Sequence, residues 1–296
     1  MSARFAVIAA ALFALTATPI HAAAPAQLDG PALASACAGR DGWTDPAPPA
    51  RLYGNTWLVG TCGIMAVLVT SPEGHILIDG GPPEAVPLIA ANIRRAGFAL
   101  RDVKWLLSTH EHPDHAGGLA ELQRLTGAAL AASPDSAAVF RSGRPASLDP
   151  QAVDLKPVPI ARVDRVLGDG DVVRLGPLAL TAHFTQAHSL GSTSWTWESC
   201  DGGGCRTIAL VDSLTTVSAD GYRFSDHPQW VAMARIGIDA ARGLPCDLLI
   251  TPHPAASNLM PRLAGDAPLF DSAACSAYAA RAEAALDDRL ARETRR

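Results

Sequence analysis

Residues 109–115, which read THEHPDH, hold the densest group of side chains that could do chemistry. His110 and His112 are two residues apart, so an extended segment points both imidazoles to the same side. A helix is expected to begin directly after them, which turns Asp114 and His115 toward a neighbouring point. The spacing therefore predicts one cation on His110 and His112 and a second on Asp114 and His115. Zinc accepts this mixture of imidazole and carboxylate ligands.

Two further histidines follow predicted strands. His188 comes after a strand that ends at His183, and His253 comes directly after the apolar run at residues 248–251. Ligand sites commonly form at the ends of several strands in α/β proteins. A lone histidine at either position would more often belong to the surface or the core, but the 110–115 cluster favours metal binding by both.

The elements that must position these residues come in the order β-rich, α, β-rich, α. A helical pattern covers residues 84–96, strands dominate again over 172–211, and residues 267–292 predict a long C-terminal helix. Residues 24–50 are rich in Ala and Pro and predict a loose N-terminal arm. We expect an α/β fold in a single domain over residues 24–296, built of two similar halves with sheets inside and helices outside.

Composition excludes several classes of protein. The 296 residues carry 24 Lys and Arg against 29 Asp and Glu, a net charge of −5, so a nucleic-acid-binding role is not expected. Hydrophobic residues make up 48% of the chain and charged residues 18%, which excludes intrinsic disorder.

Residues 1–23 predict a secretory signal peptide that is removed. One Arg precedes an almost unbroken apolar run over residues 5–20, and alanines follow at the expected cleavage point. A membrane anchor is the alternative, but the run is short for a bilayer span. We expect a periplasmic or secreted monomer with no membrane span in the mature chain.

The cysteines agree with export. All six lie after the signal peptide, and an even number in an exported chain predicts disulfides. Six cysteines allow 15 pairings, among which the sequence alone does not choose. Cys200 and Cys205 flank the turn-forming run DGGG, which favours a local disulfide between them.

These motifs together resemble the metallo-β-lactamase superfamily, over nearly all of the mature chain. The resemblance rests on H-x-H-x-D-H at residues 110–115, on His188 and His253, and on the IDGG turn at 78–81. The segments at 183–185, 191–197, 211–214 and 251–254 are similar to class B β-lactamases of the third subclass. The resemblance implies an αβ/βα four-layer sandwich, with two mixed sheets inside, helices outside and the metals at one edge of the sheets.

The resemblance also implies the roles of individual residues. It places two zinc ions, the first on His110, His112 and His188 and the second on Asp114, His115 and His253. Asp114 is then the catalytic residue that orients the nucleophile. Substrate binding falls to Ser213 and Thr215, near the substrate carboxylate, and Ser213 stands where the other two subclasses have a cysteine ligand. The implied disulfides are Cys37–Cys62, Cys200–Cys205 and Cys246–Cys275.

The implied function is an exported, zinc-dependent β-lactamase. It would open the β-lactam amide of penicillins, cephalosporins and carbapenems with a metal-bound hydroxide, since zinc lowers the pKa of water from about 16 toward about 7. The chain departs from the family pattern around the third histidine, with Ala187 in place of Gly and Ser189-Leu190 in place of Thr-Pro. It also has Glu111 and Pro113 where small or aromatic residues are usual. None of these is a ligand, so the departures concern the shape of loops beside the substrate.

Other functions stay open at this stage. A lactonase or thioesterase of the same fold would bridge its metals with an aspartate, for which Asp212 is the candidate. A flavo-diiron relative would need a carboxylate in place of His112 and a flavin domain, and the sequence has neither. A non-catalytic zinc-binding protein would have closed sites, whereas three ligands for each ion leave positions for water and substrate.

Overall fold

A computed structural model describes residues 28–295, so the predicted signal peptide over residues 1–23 lies outside the described part of the chain. Within it the chain forms two sheets, of seven and five strands, with helices on their outer faces. This confirms the predicted αβ/βα sandwich with two mixed sheets. No helix between residues 28 and 295 is long and apolar enough to cross a bilayer.

The first sheet is built by the N-terminal half of the described chain. Its strands, in spatial and chain order, are β1 (Ala50–Tyr53), β2 (Thr56–Leu58), β3 (Val67–Ser71), β4 (Gly74–Ile78), β5 (Val103–Leu107), β6 (Ala129–Ala132) and β7 (Arg165–Val166). Neighbours are antiparallel from β1 to β4 and parallel from β4 to β7. The carboxyl ends of β4 and β5 therefore lie side by side at one edge of the sheet.

The second sheet follows in the chain. Its strands are β8 (Val172–Leu175), β9 (Leu178–Phe184), β10 (Thr193–Asp201), β11 (Gly204–Leu210) and β12 (Leu248–Ile250). The strands β8 to β11 are antiparallel neighbours, and β12 runs parallel to β11.

The helices cover the outer faces and close the edges. They are α1 (Gly30–Ala36), α2 (Val86–Arg95), α3 (Pro113–Ala116), α4 (Leu119–Thr126), α5 (Pro134–Ser142), α6 (Pro228–Arg242), α7 (Leu259–Ala264) and α8 (Ala274–Thr294), with short 3-10 turns at Pro83–Ala85, Leu100–Asp102, Phe224–Asp226 and Pro254–Ser257. Apolar residues of α2, α4 and α5 pack on the first sheet, and those of α6 and α8 pack on the second.

A third apolar core lies between the two sheets. It includes Ile76 and Ile78 from β4 and Trp195 from β10, all fully buried. The indole nitrogen of Trp195 donates to the carbonyl of Ser108 at 3.0 Å, just after β5 ends. The second sheet therefore supports the loop of the first sheet that carries the histidines.

Two predictions about the ends of the chain were wrong. Residues 28–50 are not a loose arm, because Asp29 caps α1 at the amide of Ala32 (3.0 Å) and Leu33 is buried in the core between the sheets. The C-terminal helix does not begin at residue 267. It begins at Ala274, because the Arg262 guanidinium donates to the carbonyls of residues 268 and 269 and holds that segment in a non-helical conformation.

The three disulfides implied by the resemblance are confirmed. Cys37–Cys62 links the end of α1 to the turn after β2, Cys200–Cys205 links β10 to β11, and Cys246–Cys275 links the start of β12 to the start of α8.

Candidate metal centre

The segment after β5 is fixed by the carboxylate of Asp79, which follows β4. Asp79 has a left-handed backbone (φ 65°) and accepts hydrogen bonds from the amide of Thr109 at 2.7 Å and its hydroxyl at 2.8 Å. His112 then has extended backbone and α3 begins at Pro113, as the sequence predicts. Burial raises the pKa of Asp79 to about 7, although the hydrogen bonds from Thr109 oppose this shift.

A glycine allows α3 to approach the turn after β4. The amide of Gly118 donates to the carbonyl of Gly81 at 2.8 Å, and a Cβ at residue 118 would lie 2.2 Å from the carbonyl oxygen of Gly80. Any side chain there would push α3, and with it Asp114 and His115, out of place.

The first group of candidate ligands is His110, His112 and His188, whose ligand atoms lie within 4.8 Å of one another. The first two follow β5 in the first sheet, and His188 lies in the loop between β9 and β10 of the second. The ring centroids are 4.6 Å apart for His110 and His112, and 5.0 and 4.9 Å from each of these to His188. The structure thus brings together three side chains that the sequence spreads over 78 positions.

Each of these rings is oriented by a hydrogen bond to one of its nitrogens. The acceptors are Asp212 for Nδ1 of His110, Asp149 for Nε2 of His112 and the Thr215 carbonyl for Nδ1 of His188, each at 2.9 Å. The other nitrogen of each ring is left for a ligand, and Nε2 of His110 is buried without a hydrogen-bond partner. Histidines that bind metals are held in this way through their second nitrogen.

The second group is Asp114, His115 and His253. Nε2 of His115 lies 3.1 Å from Oδ2 of Asp114 and 3.1 Å from Nε2 of His253, and the remaining edge of the triangle is 3.3 Å. Ligand atoms about 2.1 Å from a tetrahedral metal lie about 3.4 Å apart, which is close to the edges of this triangle. The donor atoms of both groups therefore fit a metal ion.

The buried histidines of the first group differ in the direction in which their pKa values are shifted. Burial lowers the pKa of His110 to about 3 and that of His188 to about 4, so both are neutral and able to bind a cation at neutral pH. Burial also opposes a charge on His112, but its bond to Asp149 outweighs this and raises the pKa.

In the second group, the Asp114 carboxylate outweighs the effect of burial on the pKa of His115. Burial alone would lower the pKa of His115, but Asp114 raises it to about 9. Burial alone would raise the pKa of Asp114, and the neighbouring imidazoles hold it well below its ordinary range.

One of the two predicted substrate-binding residues, Thr215, contacts the first group. Thr215 receives the Nδ1 hydrogen of His188 on its carbonyl and, at 3.1 Å, on its hydroxyl oxygen. Because that oxygen accepts, the hydroxyl hydrogen of Thr215 stays free for another acceptor. Ser213 is buried two residues away. Trp43, which is 54% exposed, lies beside His253 of the second group, with the two ring centroids 6.2 Å apart.

Sequence reasoning missed two carboxylates and assigned a different role to a third. Asp149 and Glu111 are buried beside the ligands, and no spacing pattern marked either of them as functional. Asp212, the candidate bridging ligand of a lactonase, lies behind His110 and is bonded to it. A structural signal for all three is a buried acid in contact with a patterned histidine or its loop.

Comparison with known proteins gives one family and two kinds of relative. Residues 59–202 match the Metallo-beta-lactamase superfamily. The chain is 55% identical to the metallo-β-lactamase MIM-1 from Novosphingobium pentaromativorans, with a TM-score of 0.87, covering 89% of this chain and 98% of that one. It is 44% identical to MEM-A1, a subclass B3 metallo-β-lactamase from a soil metagenome library, with a TM-score of 0.82 and coverage of 86% and 99%.

A curated relative has a different name. A hydroxyacylglutathione hydrolase from Nitrobacter hamburgensis is 32% identical over 132 residues, which is 45% of this chain and 42% of the hydrolase. The match thus covers less than half of that enzyme's length.

Proposed function

The chain belongs to the metallo-β-lactamase superfamily and is a hydrolase, and from this premise we propose that it is an exported zinc-dependent β-lactamase. One observation carries the proposal: two groups of three candidate ligands lie side by side, with the rings of His110 and His115 4.5 Å apart, in a chain 55% identical to MIM-1 over 98% of that enzyme. The names of the solved relatives supply the substrate class, a β-lactam.

In this proposal one zinc ion is held by His110, His112 and His188, and a second by Asp114, His115 and His253. When bound, the ions supply Lewis acidity and a water of lowered pKa. The protein's own contribution begins with the acceptors bonded to His110, His112 and His188, which fix these three rings before substrate arrives.

Asp114 is the proposed catalytic residue. Its side chain is 10% exposed, so it lies at the boundary between the buried histidines and water. Its depressed pKa keeps it ionised at neutral pH, and the carboxylate accepts a hydrogen bond from the attacking water and so orients it.

Ser213 and Thr215 are proposed to bind the carboxylate of the β-lactam. The free hydroxyl hydrogen of Thr215 can donate to that carboxylate while its oxygen continues to hold His188. The side chain of Thr215 would thus both bind the substrate and orient the ring of His188.

Export is part of the proposal, with residues 1–23 removed as a signal peptide and the single domain over 24–296 acting as a monomer in the periplasm or outside the cell. The pairing of all six cysteines supports it, because disulfides persist in oxidising compartments.

The test is hydrolysis by the purified mature chain of a carbapenem, a cephalosporin and a hydroxyacylglutathione thioester, with added zinc and then with a chelator. We expect turnover of the two β-lactams that the chelator abolishes and zinc restores. Turnover of the thioester alone would refute the β-lactamase proposal and favour the activity for which the curated relative is named.

A further inference from the structure

Glu111 lies between two proposed ligands, but its carboxylate is engaged elsewhere. The side chain is buried, and its Oε2 accepts hydrogen bonds from the hydroxyls of Ser136 at 2.9 Å and Ser189 at 3.2 Å. Its Oε1 accepts from the amide of Gly191 at 3.3 Å. Two of these three donors belong to the loop between β9 and β10, which carries His188.

That loop is held tightly at Gly191. Its carbonyl accepts from the hydroxyls of Ser133 and Thr193, each at 2.9 Å, while its amide donates to Glu111. A Cβ at residue 191 would lie 2.2 Å from Oε2 of Glu111, so only glycine allows this approach. The Glu111 carboxylate therefore packs directly against the backbone of the loop at Gly191.

His188 is the ligand of the first group that comes from the second sheet, whereas His110 and His112 follow the first. The hydrogen bonds of Glu111 therefore link the segment that follows β5 of the first sheet to the loop between β9 and β10 of the second. Thr215 fixes the ring of His188, and Glu111 fixes the backbone on which the ring is carried.

We propose that Glu111 is a positioning residue, which holds the 186–191 loop against the 109–115 segment and so sets the distance of His188 from His110 and His112. The proposal rests on the metal-binding part of the proposed function. Glu111 and Ser189 are both positions at which this chain departs from the family pattern, and they are bonded to each other. The two residues that depart from the pattern thus interact directly with each other.

The test compares Glu111→Ala with Glu111→Gln by zinc affinity, measured in competition with a chromophoric chelator. We expect Glu111→Ala to weaken binding at one of the two sites by at least about tenfold, because orienting groups around ligands have effects of this size. Glu111→Gln should stay within about threefold of the wild type, since its amide oxygen can accept from Gly191 and the two serine hydroxyls can rotate to accept from its NH₂ group.

Glu293 provides the matched control. It is a second buried glutamate, which accepts from the amide of Ser225 and from the guanidinium of Arg289, outside the candidate metal centre. Glu293→Ala should lower the melting temperature and leave zinc affinity unchanged. If Glu111→Ala behaves in the same way, Glu111 has only a structural role and the proposal is wrong.

A further variant covers the case in which Glu111→Ala does not fold. Ser189→Ala removes one donor and leaves the carboxylate in place, and it should weaken zinc binding by about fivefold, more than Glu111→Gln and less than Glu111→Ala. Unchanged affinity in this variant would contradict the proposal. Because the competition assay uses no substrate, a chain that binds zinc but hydrolyses no β-lactam would refute the proposed function and leave this test valid.

Discussion

At the scale of single residues, the first group of candidate ligands is a set of three imidazoles, each with one nitrogen hydrogen-bonded to the protein and the other left for a metal. The acceptors of these hydrogen bonds lie in distant segments of the chain. Asp149 is 37 residues from His112, and Asp212 is 102 residues from His110. These acceptors determine which tautomer each ring adopts.

The role of Asp212 can be tested by Asp212→Asn. The amide oxygen can still accept from Nδ1 of His110 at the same place, so we expect two zinc ions per chain and an affinity about tenfold lower at one site. Metal content by atomic emission and chelator competition measure both quantities.

A bridging Asp212 would give a different outcome, namely loss of a bound ion. Asp247→Asn is a suitable control, because that carboxylate accepts from the amide of Thr207 away from the ligands. A stoichiometry of one zinc in Asp212→Asn and two in Asp247→Asn would move the assignment toward a lactonase-type site.

The grouping of four of the six candidate ligands could be predicted from the sequence because they lie within six consecutive residues, where backbone geometry sets their directions. Asp149 could not be predicted. It lies in an irregular segment whose path depends on contacts with other loops, such as the bond from the amide of Ala219 to the carbonyl of Pro150.

At the scale of elements, α8 supports the segment after β11. The hydroxyl of Tyr278 accepts from the amide of Leu214 at 3.3 Å and lies 3.5 Å from the carbonyl of Asp212. Burial raises the pKa of Tyr278 to about 12. The helix therefore contacts the backbone on either side of Ser213, one of the proposed substrate-binding residues.

Tyr278→Phe should have an effect that depends on pH. At pH 7 the loss of the hydroxyl is expected to lower the free energy of unfolding by about 1 kcal/mol. The pKa of Tyr278 is higher in the folded chain than in the unfolded one, so its contribution is fully present below pH 10 and is lost as pH rises through about 12. The full loss amounts to about 3 kcal/mol.

Urea unfolding of the wild type and Tyr278→Phe at a series of pH values measures this difference. The wild type should lose more stability than the variant above pH 10, so the gap between them closes and then reverses. Curves that stay parallel from pH 7 to 12 would mean that Tyr278 ionises as freely in the folded chain as in the unfolded one.

Strand positions were predictable where β-branched and large apolar residues form runs, as in β4, whose residues are all buried. The strand β6 (Ala129–Ala132) has no β-branched residue and a single large apolar one, Leu130, so its strand conformation depends on its pairing with β5 and β7. The start of α8 depends on the reach of the Arg262 side chain, which no local pattern records.

At the scale of the whole molecule, three disulfides close loops of very different length. Cys246–Cys275 spans 29 positions and Cys200–Cys205 spans 5. Chain entropy predicts that the longer link stabilises the fold by about 3–4 kcal/mol and the shorter by about 2 kcal/mol.

The paired variants Cys246→Ala with Cys275→Ala, and Cys200→Ala with Cys205→Ala, should therefore differ in stability. Denaturant unfolding at neutral pH is the measurement, and the first pair should have the lower midpoint. An equal or greater loss in the Cys200 and Cys205 pair would show that local strain or packing, and not loop entropy, governs these links.

Each group of candidate ligands draws on both halves of the chain: His188 and His253 follow strands of the second sheet, and the other four follow β5 of the first. A bound metal would therefore act as a crosslink that forms and breaks with the supply of the ion. Under linkage, free metal at 100 times its dissociation constant adds about 2.7 kcal/mol to the stability of the folded chain. Scarcity of zinc would then remove more than activity, because the metal-free chain opens more often and becomes a better substrate for proteases. The lifetime of this protein in its compartment would follow the concentration of an ion, and its abundance would report the zinc status of the cell.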